Sequence, residues 1–235
     1  MKIQIATTED GSHTLFNGTL GEHYHSTHGA IQESLHIFIQ SGLQAVEKKR
    51  GRINILEIGF GTGLNALLSF QEAENMNYNI NYIAIEPIKL DKSIYSQLNY
   101  AHLLKNDKLQ TILLTMHDIP WNIPYYISES FILNKIEEKL QDLELAENAF
   151  DLVYFDAFSP ETQAELWEEQ IFKSIYAAMK NKGILTTYSA KGSVKRALKA
   201  VGFEVELLPG PIGKRQITRA RKDIPMEDCK KTVGF

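Results

Sequence analysis

The sequence predicts an α/β fold: a mostly parallel central sheet, closed by an antiparallel pair and preceded by a short N-terminal β extension. Three observations carry this. An apolar run from Ile53 to Ile58, holding one acid at Glu57, breaks into three alternating glycines, Gly59, Gly61 and Gly63. Leu64, Leu67 and Leu68 then recur at helical spacing, the pattern of a buried parallel strand, a tight turn and a helix packed back on the sheet. Further apolar segments at 81–86, 150–156 and 183–188 alternate with helical patterns, as in βαβ units. Last, Phe203 to Leu208 and Gln216 to Arg219 are joined by Pro209-Gly-Pro-Ile-Gly-Lys-Arg215, which reads as the antiparallel pair.

In chain order, Ile3 to Leu20 alternates polar and apolar residues around Asp10-Gly11 and Asn17-Gly18, a hairpin pattern. Ile31, Leu35, Phe38, Ile39 and Val46 trace one face of a helix that ends at Lys48-Lys49-Arg50 and Gly51. The helix behind the glycines runs to about Glu74, and mixed helical character spans Leu90 to Leu104. Leu109 to Met116 reads as a third strand running into His117-Asp118. An acid just past such a strand lies on the ligand side of a doubly wound sheet, so Asp118 is a candidate adenine contact or a helix cap. Residues 122–149 read as a helical insertion, with Ile132, Ile136, Leu140 and Leu143 on one face. Strand 150–156 ends in Asp156-Ala-Phe-Ser-Pro160; Leu166, Ile171, Ile175 and Met179 mark the returning helix. Ser189 to Ser193 caps a short helix carrying Lys195, Arg196 and Lys199, and a polar tail follows from Asp223. No internal repeat or linker interrupts the chain, so residues 1–222 are expected to form one domain, with 223–235 as tail.

At 235 residues the chain is long enough for one large α/β domain or two small ones, and the absence of a linker favours one. One cysteine, Cys229, excludes an internal disulfide framework and a multi-cysteine zinc site, and suits a reducing cytoplasm. No apolar run reaches membrane-spanning length. His23, His25 and His28 fall within six residues, but no second cluster of His or Cys completes a ligand set. The expectation is a polar loop lining a cleft, without metal. The net charge of −4 conceals an asymmetry, −12 over residues 1–178 and +8 over 179–235. A basic C-terminal quarter can face a polyanion.

The glycine loop alone admits two ligands. Gly61-Thr-Gly-Leu-Asn-Ala66 fits the dinucleotide pattern, with Glu86 placed for a ribose. Glu57-x-Gly59-x-Gly61-x-Gly63 instead resembles the first motif of Rossmann-like S-adenosylmethionine methyltransferases. Either ligand would use Glu86 on the ribose hydroxyls. Gly59, Gly61 and Gly63 would give close backbone approach, and Glu57 or Asn65 would orient the far end.

Longer runs narrow this. Tyr24-His-Ser-Thr-His-Gly-Ala-Ile-Gln-Glu-Ser34, the stretch Glu57 to Asn65, Asp156-Ala-Phe-Ser-Pro160 with Glu165-Leu-Trp167, and Thr187-Tyr-Ser-Ala-Lys-Gly192 resemble one family nearly end to end. So do Val201-Gly-Phe203, Pro209-Gly210 and Lys214-Arg215. It is the methyltransferase half of the bifunctional tRNA-modifying enzyme MnmC and, still more, its free-standing form MnmD. The resemblance implies a Rossmann-like methyltransferase fold, S-adenosylmethionine as methyl donor, and N-methylation of the 5-aminomethyl group of a tRNA wobble uridine. The product would be 5-methylaminomethyl(-2-thio)uridine. It also implies substrate contacts from Tyr24 and Glu33. Where the family often has Lys-x-Pro-Glu, this chain has Thr162-Gln-Ala-Glu165 and no lysine. The resemblance does not extend to the FAD-dependent oxidase half of MnmC, so the expectation is the methyl step alone, without FAD, on tRNA as partner. No membrane and no obligate protein partner are expected.

Methyl transfer to an amine needs a neutral nitrogen aligned with the sulfonium carbon, so positioning dominates. An aspartate of ordinary acidity is a weak base for an ammonium. Asp156 is therefore cast as the group that orients the amine and offsets its growing charge, with burial able to raise its basicity. Phe158 and Tyr188 would wall the methyl channel, stack on the uracil, or pack in the core. Lys191, Lys195, Arg196, Lys199, Lys214, Arg215, Arg219 and Arg221 are candidate phosphate contacts. Two rivals remain. A polyamine aminopropyltransferase would show Asp-x-x-Asp-Pro, where Ser159 stands here in place of the second acid. A non-catalytic RNA-binding module would have no use for the intact loop with Glu86 and Asp156.

Overall fold

The computed structural model describes residues 3–47 and 51–223. The run Lys48-Lys49-Arg50, Cys229 and all of the expected tail beyond Asp223 lie outside the described residues. At the N-terminus, β1 (Ile3–Thr7), β2 (His13–Asn17) and β3 (Glu22–His23) form a small antiparallel sheet. The helix α1 (Ala30–Ser34) passes directly into a π-helical stretch, Leu35–Gln40, that buries Ile37, Phe38 and Ile39.

The main sheet takes its strands from β4 (Arg52–Ile58), β5 (Asn79–Ile85), β6 (Tyr125–Tyr126), β7 (Phe131–Ile136), β8 (Phe150–Phe155), β9 (Met179–Thr187), β10 (Glu204–Pro209) and β11 (Gln216–Arg221). Between them lie α2 (Leu64–Met76), α3 (Lys92–Tyr95), α4 (Tyr100–Leu103), α5 (Lys108–Asp118), α6 (Glu169–Ala178) and α7 (Gly192–Ala200). The spatial order is β10-β11-β9-β8-β4-β5-β7-β6. β9, β8, β4, β5 and β7 are parallel, while β11, β10 and β6 run antiparallel to their neighbours. The predicted mostly parallel sheet, its closing pair and the N-terminal β extension are all present.

Both faces of the parallel strands are covered, which is why they read as nearly continuous apolar runs. On one face Ile55, Tyr82, Phe131 and Tyr154 pack with α2, α5 and the π-helical stretch. On the other, Leu56, Val153, Phe155 and Leu185 meet Phe172 and Ile175 of α6 and Val194 and Leu198 of α7. The polar exception in β8, Asp151, is held by Lys180 Nζ at 2.6 Å and the Asn54 N–H at 3.0 Å.

Two expectations are corrected. Residues 108–118 form a helix, not a strand: Leu109, Leu113 and Met116 are buried at helical spacing, and the residues between them are not. Residues 122–149 are not a helical insertion but contain a sheet strand, β7. Phe131, Leu133 and Lys135 are buried at a period of two. The spacing of Ile132, Ile136, Leu140 and Leu143 fits a helix in the sequence but not in the fold, where Ile136 ends β7 and Leu140 opens a single 3-10 turn, Leu140–Asp142. The mixed helical region resolves into α3 and α4.

The register sets up the site. Ile58, Ile85, Ile136 and Phe155 lie side by side at the carboxyl ends of β4, β5, β7 and β8. The next residue of three of these strands is Gly59, Glu86 or Asp156. The chain moves from β4 outward to β5 and β7, then returns to place β8 on the other side of β4. That reversal opens a crevice at the strands' carboxyl edge.

Candidate active site

A cleft of about 650 Å³ opens at this reversal. Gly59 passes so close to β8 that a Cβ there would lie 2.7 Å from the Asp156 carbonyl oxygen, at a φ of 93°. Gly61, at φ 48°, faces the Tyr24 ring, 3.1 Å from where a Cβ would stand. Side chains at either position would fill the floor of the cleft or push the loop off the strand end. Gly63 stands behind the wall as the left-handed residue that starts α2.

Glu86 accepts hydrogen bonds from the Gly61 N–H (3.1 Å) and the Ile88 N–H (2.9 Å). It therefore ties the glycine loop to the segment after β5. Burial pushes its carboxyl up to about 7, against the lowering effect of those two N–H groups. Lys139, Leu140 and Gln141 also line the cleft.

At the other end stands Asp156. The Asn65 amide nitrogen donates to both Asp156 Oδ2 (2.8 Å) and Glu57 Oε1 (3.0 Å). Glu57 is wholly buried behind the wall, and its pKa is pushed well up by burial and then by the Asp156 charge. Asp156 is raised to about 7, chiefly by burial and then by the Glu33 charge, with Asn65 and Lys214 working the other way. Two carboxyls sharing one amide cannot both ionise at low cost. Asn65 Oδ1 is buried without a hydrogen-bond partner.

The walls at this end are aromatic and acidic. The rings of Tyr24 and Phe158 meet edge to face at 5.0 Å, and the Tyr188 hydroxyl donates to the Ala157 carbonyl at 2.9 Å. Glu33 Oε2 accepts from the Ser26 N–H at 2.7 Å, and Lys214 Nζ lies 3.3 Å from Glu33 Oε1. Glu22 accepts from the Ser159 N–H (3.0 Å) and hydroxyl (3.1 Å), which puts a carboxylate beside the serine. Trp167 donates to the Phe158 carbonyl at 2.8 Å, bracing the wall from behind.

Of the predicted site residues, the fold brings Tyr24, Glu33, Gly59, Gly61, Asn65 and Glu86 to the cleft. Asp156, Phe158, Tyr188 and Lys214 line it too. Asp118 is not among them. It ends α5 on the outer side, where it takes hydrogen bonds from Lys92 Nζ (2.9 Å) and the Tyr95 hydroxyl (2.6 Å). The neighbouring His117 faces the loop instead and bonds the Thr62 carbonyl through Nε2 at 3.0 Å. One residue further round a helix points away, so the adenine contact assigned to Asp118 is not supported. Lys191, Lys195, Arg196 and Arg215 do not line the cleft either. Lys191 pairs with Glu161, and Arg219 with Glu206 at 2.7 Å.

Sequence reasoning gave no individual role to Glu22, Glu165 or Lys139 to Gln141, all of which line the cleft. Glu22 opens the polar loop that carries His23, Tyr24 and His25, the one signal that could have singled it out. His23 and His25 line the cleft, with His25 between Thr14 and Thr62, while His28 pairs with Glu9. Among the described residues no group of three or more His, Cys, Asp or Glu is arranged to hold a metal. No helix among them is long and apolar enough to cross a membrane.

The chain is similar to known proteins that bear on its family and fold. The bifunctional protein MnmC for tRNA 5-methylaminomethyl-2-thiouridine biosynthesis from Cupriavidus metallidurans is 31% identical over 211 residues, covering 84% of this chain and 31% of that protein. The Aromatoleum aromaticum protein of the same description is 29% identical, over 93% of this chain and 35% of its own length. The chain thus spans about a third of the length of these relatives. The crystal structure of MNMC2 from Aquifex aeolicus superposes with a TM-score of 0.74 at 29% identity, covering 99% of this chain and 75% of that one. Spermidine synthase from Thermotoga maritima shares the fold, at a TM-score of 0.51 and 15% identity over 96% of this chain and 74% of that one. A family profile described as S-adenosyl-L-methionine-dependent methyltransferase matches residues 105–223. With the glycine loop and Glu86 at the switch point of a doubly wound sheet, the chain belongs to the S-adenosyl-L-methionine-dependent methyltransferase family.

Proposed function

We propose that the protein N-methylates the 5-aminomethyl group of a tRNA wobble uridine, giving 5-methylaminomethyl(-2-thio)uridine. The observation that carries the reading is the Asp156 end of the cleft. There a carboxylate held by Asn65 stands among aromatic rings and further acids, a setting suited to a flat base bearing a cationic amine. The residues present fit S-adenosylmethionine. Glu86 suits the ribose hydroxyls, Gly59 and Gly61 leave room for close approach, and the unpartnered Asn65 Oδ1 offers an acceptor to the methionine ammonium. When bound, the cofactor supplies a methyl group on a sulfonium, which passes to a nitrogen lone pair as the C–S bond breaks.

The chain's own residues must present that lone pair. Phe158, Tyr24 and Tyr188 would clasp the base, and Asp156 would accept a hydrogen bond from the attacking nitrogen. With its pKa lifted to about 7, Asp156 is also a better proton acceptor than an ordinary aspartate. It can take the proton that the ammonium loses before attack or that the product amine loses after it. Basic residues of the C-terminal quarter outside the cleft would meet phosphates.

Incubation with S-adenosylmethionine and tRNA from a strain lacking the methyl step, followed by mass analysis of the nucleosides, tests this directly. The expected product carries a methyl in place of one hydrogen on the aminomethyl nitrogen, and is heavier by CH2. Asp156→Asn keeps the shape and loses the charge, and should lower single-turnover rate by on the order of 10²–10³ with cofactor affinity little changed. An Asn variant of near wild-type rate would remove Asp156 from the chemistry.

Glu22 favours one second reading, aminopropyl transfer to a polyamine. It brings to Ser159 the second acid that the Asp-x-x-Asp-Pro motif would otherwise supply. Turnover with decarboxylated S-adenosylmethionine and putrescine, in the absence of tRNA, would establish that reading instead.

A further inference from the structure

The Lys214 ammonium sits 3.3 Å from Glu33 Oε1 and 4.8 Å from the centre of the Tyr188 ring. A carboxylate on one side and an aromatic face on the other is the pairing that recognises an alkylammonium. Glu33 is well enclosed, its side chain only 9% exposed, whereas Lys214 reaches it from the turn between β10 and β11, with 29% of its side chain exposed. Glu33 is fixed independently of the lysine, because its other oxygen takes the Ser26 N–H at 2.7 Å. Tyr188 is fixed as well, through its bond to the Ala157 carbonyl. The seat is therefore built into the cleft wall, and the group occupying it comes from outside.

We infer that Glu33 and Tyr188 form the seat for the acceptor's primary ammonium, and that Lys214 fills this seat until the acceptor displaces it. The inference rests on the proposed reaction for the identity of the acceptor, a primary amine on one carbon from a nucleobase. The seat adjoins the reacting end: Asp156 feels the charges of both Glu33 and Lys214. An incoming ammonium replaces one cation by another, so the buried Glu33 is not left unpaired when the acceptor binds, a state that would be costly; the ammonium gives up its proton only afterwards, for attack. A neutral group in place of the amine cannot make this exchange, and the enzyme would reject a hydroxymethyl or methyl base for that reason. Lys214 thereby acts in specificity and not as a phosphate contact.

The two roles predict opposite effects. Binding of 5-aminomethyluridine and its neutral isostere 5-hydroxymethyluridine can be followed by saturation-transfer NMR for the wild type, Lys214→Met and Glu33→Gln. Lys214→Met should tighten the aminomethyl nucleoside by roughly threefold to tenfold, by removing the competitor, and leave the hydroxymethyl one unchanged. Glu33→Gln keeps an acceptor for the Ser26 N–H but should weaken the aminomethyl nucleoside by on the order of tenfold and erase the preference between the two. The inference is overturned if Lys214→Met weakens the aminomethyl nucleoside or leaves it unchanged. It is equally overturned if the wild type does not prefer it, including by binding neither nucleoside. The tRNA assay separates the two claims. Methylated product without the nucleoside preference would sink the seat alone, and the preference without product would sink the proposed reaction alone.

Discussion

Asp156 and Glu86 were legible as single residues because each stands one position beyond a strand, and local patterning locates a strand's end. Their partners were not. Glu33 and Lys214 are 181 positions apart in number but 3.3 Å apart in space, and nothing in local spacing encodes that approach. Lys214 read as one more surface cation because its aromatic and acidic neighbours come from other segments. Glu86 was assigned to a ribose, and its contacts add a second task, since it also holds the loop through the Gly61 N–H. Glu86→Ala should therefore weaken S-adenosylmethionine binding by about 1.5–3 kcal/mol, the loss of a charge-assisted bond. Titration calorimetry on the folded variant checks this, and unchanged affinity would mean the cofactor lies elsewhere.

At the scale of elements, the glycine-loop strand, α2, β8 and the closing pair were readable because period, length and turn residues all agree. The errors fell where one pattern satisfied two periods. In 109–116 the apolar residues are dense enough to pass for a strand, and only burial separates Leu109, Leu113 and Met116 from the rest. In 131–143 the buried Lys135 hid the period of two. A lysine on an inward position argues against a core strand unless its charge has a partner. Here its Nζ reaches the His117 carbonyl at 2.6 Å and lies 4.5 Å from the centre of a Trp121 ring. The helix α5 holds that partner in place, so misreading one element obscured the other. Leu113 is fully buried on α5, and Leu113→Ala should cost about 2–5 kcal/mol in urea unfolding. A cost below about 1 kcal/mol would argue that this helix does not pack against the sheet as described.

Across the whole molecule, the basic C-terminal quarter is partly neutralised within the fold. Lys180 serves Asp151, Lys222 donates to the Met179 carbonyl at 2.7 Å, and Arg219 holds Glu206. The acids tell a different story, since the cleft collects carboxyls whose burial opposes ionisation. Asp156 rises from 3.8 and Glu86 from 4.5, each to about 7. A carboxyl with a higher pKa folded than unfolded binds its proton more tightly in the fold. The stability it contributes is complete below the unfolded value and is lost as pH rises through the folded one. Two histidines work the other way: burial lowers His25 and His117 from 6.5 to about 4, so their contribution is lost as pH falls from 6.5 toward 4. Lys135, lowered from 10.5 to about 8, contributes above that range and loses its contribution as pH falls through about 8. Between about pH 6.5 and pH 7.5, below the range where Lys135 acts, the carboxyls therefore dominate, and the unfolding midpoint of the ligand-free protein should fall as pH rises. Replacing both acids, Glu86→Gln with Asp156→Asn, should flatten that slope while leaving the histidine-driven loss at lower pH. Thermal unfolding across this window checks it. A wild-type midpoint that holds level or climbs would show that these carboxyls ionise freely in the fold, and Asp156 would then be too weak a base to take a proton from the acceptor amine.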